Sequence, residues 1–321
     1  DLDGDSGGEG MELDKPACRF CFSTDGELIN PCRCKDPVHL ECLRKWQKEV
    51  LLSQPTHPKY QTTIDRVCNV CLEPFEGIGM PKSRHEQIME FTGAEIADLI
   101  SPGNLLVSTR ESSRENLEII AQHPEIKERL MTWTKAVFLM LSTGRDKSGL
   151  LAVSMSQPIP NPPNDAVRSK GEKKAWATKK KAATKRGIDL RYFDGGPMER
   201  SSPIAVAHIQ DVDVSSMESF GVHTLHPGWI WGSFDDVYAA VVTTSTKVVN
   251  VVFGFGGWGG TQILAETARG GWGVVTVDQY MSSRPDESLE MDWLLDFEWT
   301  RIVPMARLAP QSEYTRRGKR R

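Results

Sequence analysis

Cys18-Arg-Phe-Cys21, Cys32-Arg-Cys34, His39-Leu-Glu-Cys42 and Cys68-Asn-Val-Cys71 are four short stretches that decide how this chain begins to fold. The sequence contains 7 cysteines, and every one of them stands in these pairs. Within each pair a single short turn brings two soft ligands close enough to share a metal ion. Together the four pairs fill two tetrahedral Zn²⁺ shells, whereas an odd cysteine count would leave a disulfide framework with one thiol over. No secretory apolar region opens the chain either, so the thiols are expected to be reduced and metal-bound.

The order of the pairs also predicts a topology. In a cross-brace alternate pairs share an ion, so Cys18, Cys21, His39 and Cys42 hold one, and Cys32, Cys34, Cys68 and Cys71 the other. Both shells are then complete, with no position left for water, which makes the two zinc ions structural and not catalytic. The surrounding segment is polar and has few apolar residues. Metal binding worth about 10–16 kcal/mol per site supplies the stability that burial cannot.

These residues resemble the RING-CH (C4HC3) zinc finger of E3 ubiquitin ligases over about residues 17–75. The single residue between Cys32 and Cys34 fits that family, as do Cys42-Leu43-Arg44-Lys45-Trp46 and Cys68-Asn69-Val70-Cys71 followed by Phe75. One spacing departs: only Lys35 to Val38 separate the fourth ligand from the histidine, where the family has a longer stretch. That short gap is more like a PHD finger, a chromatin-reading module with the same ligand order. PHD fingers, however, carry a tryptophan two residues before the seventh ligand, and here that residue is Arg66. The resemblance implies a scaffold without a covalent intermediate, which docks a ubiquitin-charged conjugating enzyme (E2) for transfer to a protein substrate. It also implies that Phe20 and Trp46 form the E2-binding surface, with Leu43 and Pro74 at its edge. Read from the residues alone, Trp46 is equally a core position, because Leu43, Trp46 and Val50 share one face of a helix and Arg44, Lys45 and Lys48 the other.

At 321 residues the chain is long enough for two domains. The net charge of −4 hides strong local bias. Asp1, Asp3, Asp5, Glu9, Glu12 and Asp14 lie in Gly-rich sequence, so residues 1–16 are expected to be a disordered acidic N-terminus. Arg168, Lys170, Lys173, Lys174, Lys179, Lys180, Lys181, Lys185 and Arg186 face Glu172 alone, and residues 311–321 form a basic tail. No apolar run reaches the roughly 18 residues a membrane span needs. The expected division is a finger over 17–76, a linker over 77–101 that contains a helix, and a second domain over 102–310.

That second domain reads as α+β, with hairpin-rich sheets packed on helices. Residues 104–107 read as a strand and 115–131 as an interrupted helix. Residues 135–141 and 149–155 read as a hairpin across Gly144-Arg-Asp-Lys. Residues 190–193, 203–209 and 247–255 are further strands. A helix over 261–269 leads to a strand over 272–278, and 294–307 is a mixed tail. Residues 160–187 show no apolar periodicity and read as a disordered basic insertion. Gly254-Phe-Gly256-Gly-Trp-Gly259 satisfies G-x-G-x-x-G, with Asp278 ending the next strand. Too little chain follows to complete a doubly wound sheet, so the glycines read as a tight turn rather than a cofactor site. The helix N-terminus there retains the capacity to hold an anion.

Several phrases resemble the AlgH-like (YqgE) family: Gly103-Asn-Leu-Leu-Val107, residues 135–158, Phe193-Asp-Gly-Gly-Pro197-Met198-Glu199, residues 228–239 and residues 254–278. The resemblance covers about 103–158 and 188–280 and supplies a fold but no reaction. In the ligase reading this domain is the substrate or ligand module. No cysteine remains as a nucleophile and no G-x-S-x-G elbow appears, so no catalytic residue is assigned. His208 with Asp211 and Asp213, and His223 with His226, read as polar loops. The basic stretch offers a nuclear import signal or a nucleic-acid contact, with Trp176 as a stacking residue. Reduced cysteines imply the cytoplasm or nucleus, or a plastid stroma. The alternative to a ligase is a non-catalytic interaction protein, a PHD-like peptide or chromatin reader.

Overall fold

The computed structural model describes residues 16–53, 66–76, 84–109, 136–143, 149–154, 156, 158–163, 170–196, 198–209, 214–225, 228–283 and 299–310. The chain forms two compact units, Asp1–Arg84 and His85–Arg321.

Among its described residues the first unit is built from loops and one helix, α1 (Leu40–Ser53). Leu43, Gln47 and Leu51 are fully buried at four-residue spacing, so they form the inner line of α1, while Trp46 and Val50 lie half-buried beside it. The cluster beneath contains only Cys18, Val38, Leu43, Cys68 and Phe75 as buried members, two of them metal-ligand candidates. An isolated antiparallel bridge, Ile29 to Val38, ties the segment before the second ligand pair to the residue before His39, and a second joins Val67 to Pro74.

The second unit has α+β architecture in layers. Among the described residues its helices are α2 (Arg84–Thr92), α3 (Ala94–Leu99), α4 (Lys170–Lys185), α5 (Phe234–Val242), α6 (Gly260–Ala268), α7 (Val277–Ser282) and α8 (Trp299–Ile302). The strands are β1 (Leu105–Ser108), β2 (Val137–Thr143), β3 (Gly149–Ser154), β4 (Pro158–Ile159), β5 (Asp189–Asp194), β6 (Ile204–His208), β7 (His223–Thr224), β8 (Trp229–Ser233), β9 (Val248–Phe253), β10 (Gly256–Gly259) and β11 (Trp272–Val275). One sheet has the order β10-β3-β2-β1-β11 and the other β4-β5-β9-β6-β8-β7. Neighbours are antiparallel except β5 and β9, which run parallel with Tyr192 opposite Val251.

Alternation along the strands explains the layers. Leu105 and Val107, then Val137, Leu139 and Leu141, point to one side and meet Phe193, Val206 and Val252 of the other sheet. The opposite face of the six-stranded sheet sends Tyr192, Ala205, Ala207, Val249, Val251 and Phe253 toward Ala183 of α4 and Phe234, Val237, Ala240 and Val241 of α5. Each sheet thus covers one face of the same core, and helices cover the second face of the larger sheet.

Three expectations need correction. The basic stretch within 160–187 is not disordered: α4 docks through Trp176, half-buried, and Ala183, fully buried. Trp176 lies 5.0 Å from Phe234, 5.7 Å from Phe253 and 6.2 Å from Tyr192, ring centre to ring centre. Lys179 completes the inner face. Its ammonium lies 5.2 Å from the Phe234 ring centre and 2.6 Å from Asp235 Oδ1, so its stem counts as apolar cover. The docking pattern is therefore i, i+3, i+7 with a lysine in the middle, which composition conceals.

The presumed linker is the second correction. Ile88, Ile96 and Ile100 are buried and Thr92 Oγ1 donates to Leu264 O at 3.0 Å, so α2 and α3 pack within the second unit. Third, the strand expected over 272–278 ends at Val275 and turns into α7. Residues 115–131, the Gly144 turn, Asp211, Asp213, His226 and the two charged termini lie outside the described residues.

The glycine run forms β10, paired with β3, not a phosphate loop. Its glycines admit close backbone contact: a Cβ on Gly254 would lie 2.1 Å from Gly196 O, and one on Gly196 2.5 Å from Phe255 C. At the start of α6 the Gly259 N–H is already occupied, donating to Gln262 Oε1 at 3.3 Å.

Candidate metal centre and docking face

Two loops in the first unit have the same backbone. Phe22 N–H donates to Cys18 O at 2.7 Å and Cys18 N–H to Ser23 O at 2.9 Å. In the other loop Leu72 N–H donates to Cys68 O at 2.9 Å and Cys68 N–H to Glu73 O at 2.9 Å. Each turn presents the sulfurs of its Cys-x-x-Cys pair inward. Further N–H groups then aim at the first sulfur of each: His39 N donates to Cys18 Sγ and Val70 N to Cys68 Sγ, both at 3.4 Å.

The ligand atoms gather as the cross-brace requires. Cys18, Cys21, His39 and Cys42 form one set and Cys32, Cys34, Cys68 and Cys71 the other, all atoms of a set within 4.8 Å of one another. Tetrahedral Zn–S bonds near 2.3 Å place sulfurs about 3.8 Å apart. Cys34 and Cys68 Sγ are 3.7 Å apart, far from disulfide length, and all seven cysteines are free. His39 presents Nδ1, 3.3 Å from Cys21 Sγ and 3.8 Å from Cys42 Sγ. Donor type, number and spacing in both sets therefore fit a tetrahedral metal ion. Among the described residues these are the groups able to hold one.

Electrostatics point the same way. Burial pushes the Cys18 thiol up, but N–H groups of His39, Cys21 and Phe20 outweigh it and hold it at about 6. Cys68 is likewise pushed up by burial and brought down to about 6 by N–H groups of Cys71 and Val70 and the Arg19 guanidinium. Their companions go the other way: burial, with crowding by the other thiols, raises Cys32 to about 12 and Cys42 to about 11. Thiols packed this closely cannot all ionise without a cation among them, and a divalent ion removes the conflict.

The expected docking residues divide. Phe20 stacks on Trp46 with ring centres 6.1 Å apart at 24°, and Trp46 meets Phe75 edge-on at 6.0 Å. Both Phe20 and Trp46 are half-buried, and Pro74 is exposed. Leu43 is 0% exposed, so it supports α1 from beneath and offers no surface to a partner. Sequence reasoning missed Phe22, Leu72 and Val70, which stand 80%, 75% and 68% exposed at the two loops. Phe22 and Leu72 each follow the second cysteine of their loop with left-handed backbone, φ 60° and 59°, a conformation that residue type alone does not announce. In the second unit the His208 ring lies tilted against Trp229 at 5.0 Å and His223 against Trp231 at 4.7 Å, and among the described residues neither belongs to a metal-holding set.

A model of the AlgH-like family (DUF179) matches residues 119–292, and a model of the RING-variant domain matches residues 18–71. Similar solved structures include protein DIP2367 from Corynebacterium diphtheriae, at 13% identity and a TM-score of 0.37, covering 62% of this chain and 91% of that one. The AlgH protein from Pseudomonas aeruginosa is similar at 14% identity and a TM-score of 0.34, covering 60% of this chain and 92% of that one. No curated protein matches the chain. No described helix is long and apolar enough to cross a membrane.

Proposed function

Because the chain belongs to the AlgH-like family and carries a RING-variant domain ahead of that match, we propose that it is an E3 ubiquitin-protein ligase of the RING-CH type. In this reading the finger, residues 17–76, holds two structural zinc ions. One is bound by Cys18, Cys21, His39 and Cys42, the other by Cys32, Cys34, Cys68 and Cys71. The ions supply no reactive centre; they fix the loops that carry the docking face.

The observation that carries the proposal is the Phe20–Trp46 stack beside the first Cys-x-x-Cys loop. It is a half-buried aromatic pair packed against the small buried cluster of the unit, with Phe22, Val70 and Leu72 exposed on the two Cys-x-x-Cys loops. Aromatic anchors of this kind dominate the energetics of protein docking. A charged E2 that lands there is held with its thioester biased toward attack by a substrate amine, and the finger forms no bond of its own. The AlgH-like unit, with no reactive constellation among its described residues, serves as the substrate or ligand module.

Purified chain incubated with E1, a panel of E2 enzymes, ubiquitin and ATP tests this directly. Autoubiquitination that disappears in Trp46→Ala, in a variant still holding two zinc ions, supports the reading. Failure with every E2, together with binding to histone-tail peptides, would replace it with a PHD-like reader, as the short Lys35–Val38 gap allows.

A further inference from the structure

We propose that Arg19 is a positioning residue that couples the two metal sites, making occupancy of each strengthen the other. The inference rests on the reading that both ligand sets hold zinc. Arg19 lies between Cys18 and Cys21, inside the loop that serves the first ion. Its backbone N–H donates to Pro37 O at 3.1 Å, which fastens that loop to the segment leading into His39. Its side chain does not stay with that ion. Nη1 and Nη2 both lie 3.6 Å from Cys68 Sγ, a ligand of the second set that is fully buried.

Charge explains why a guanidinium belongs there. A divalent ion with four thiolates carries a net double negative charge, and one with three thiolates and a neutral imidazole a single one. A cation held against the more negative site stabilises its thiolates, and two N–H groups on one sulfur fix the orientation of that ligand. One residue therefore ties the peptide around the first ion to a ligand of the second. By linkage the benefit is reciprocal.

The same guanidinium lies 5.1 Å above the Phe20 ring centre, and Phe20 in turn stacks on Trp46. Loss of the second ion would thus free Arg19 and loosen the aromatic pair through a contact of the same side chain.

The experiment is chelator competition on the zinc-loaded full chain, with zero-, one- and two-metal species counted by native mass spectrometry. Cobalt substitution reports which site is filled, since its charge-transfer absorbance scales with thiolate number. The wild type is expected to pass from two metals to none with little one-metal species. Arg19→Leu is expected to accumulate a one-metal form with the Cys18–Cys21–His39–Cys42 set filled. Its second site should weaken by about 10- to 100-fold, the usual effect of removing a partner of a metal ligand. Arg19→Lys, which keeps the charge but not the fork, falls between.

Independent loss of the two ions in the wild type, or a wild-type profile in Arg19→Leu, overturns the coupling and leaves the ligase reading intact. Equal weakening of both sites, identical in the leucine and lysine variants, overturns it too, because Arg19 would then be a general packing residue. A wild-type chain that holds no zinc overturns the metal reading itself.

Discussion

Phe22 and Leu72 occupy the same step of two separate ligand loops and adopt the same left-handed backbone, φ 60° and 59°. Large side chains rarely take that conformation, so the loop bonds to Cys18 O and Cys68 O and the inward pull on the neighbouring cysteines must hold it. Phe22→Gly and Leu72→Gly are expected to keep two zinc ions and to shift stability by no more than about 1 kcal/mol. Phe22→Val and Leu72→Val, β-branched, should cost about 1–3 kcal/mol. Metal counting and chemical denaturation distinguish the pairs.

The small buried cluster of the first unit predicts how the chain responds to a chelator. With Cys18 and Cys68 among its few buried members, removing the metal removes the framework of that core. Hydrogen exchange with a strong chelator present should show loss of protection over 16–53 and 66–76. Protection should persist in β1, β2, β5 and β9, whose two clusters contain no ligand. Unchanged exchange in the first unit would contradict this.

Trp46 has two roles that separate by measurement. Its contacts with Phe20 and Phe75 make Trp46→Ala cost about 2–4 kcal/mol in the finger. Trp46→Phe, which keeps an aromatic ring, should recover most of that stability. If the ring also anchors an E2, the loss of ubiquitin transfer in Trp46→Ala will exceed the fraction of finger unfolded at the assay temperature.

Packing and charge compete for credit in docking α4. The Lys179–Asp235 pair is close, but the side chains are 38% and 71% exposed. Exposed pairs contribute about 0–1 kcal/mol. Trp176→Ala should therefore cost about 3 kcal/mol, and Asp235→Ala less than about 1 kcal/mol. Urea denaturation followed by circular dichroism would show it, and the reverse order would mean that charge holds the helix.

Asn250 is fully buried in β9, and among the described residues neither end of its carboxamide finds a hydrogen-bond partner. Replacing such a group by an apolar one of similar shape removes a desolvation penalty of about 1–3 kcal/mol. Asn250→Val should thus raise the midpoint of thermal unfolding. A lowered midpoint would show that the amide is satisfied in the folded chain.

The ligand sets were legible in the sequence because spacing alone dictates which sulfurs one turn can bring together. Strands such as β2 and β9 were legible because alternating or continuous apolar runs leave few choices. The α4 helix was not, since its inner face is a tryptophan, a lysine stem and an alanine, and lysines dominate the count. Leu43 was misplaced for a related reason. Its spacing from Trp46 puts both on one helix face, but only the loops folded over α1 decide which of them reaches the surface. The loop-tip residues Phe22 and Leu72 escaped notice because outward direction there follows from backbone sign, not from hydropathy.

The strand order has a consequence for biosynthesis. β9 lies between β5 and β6, both of which leave the ribosome before it, and β10 and β11 later close the two rims of the smaller sheet. Until Phe253 emerges, a nascent chain displays two unpaired inner strand borders rich in apolar side chains. Translation that stalls after β8 therefore leaves a sticky half-sheet, and a chaperone that shelters it until the central strand arrives would raise the yield of native protein.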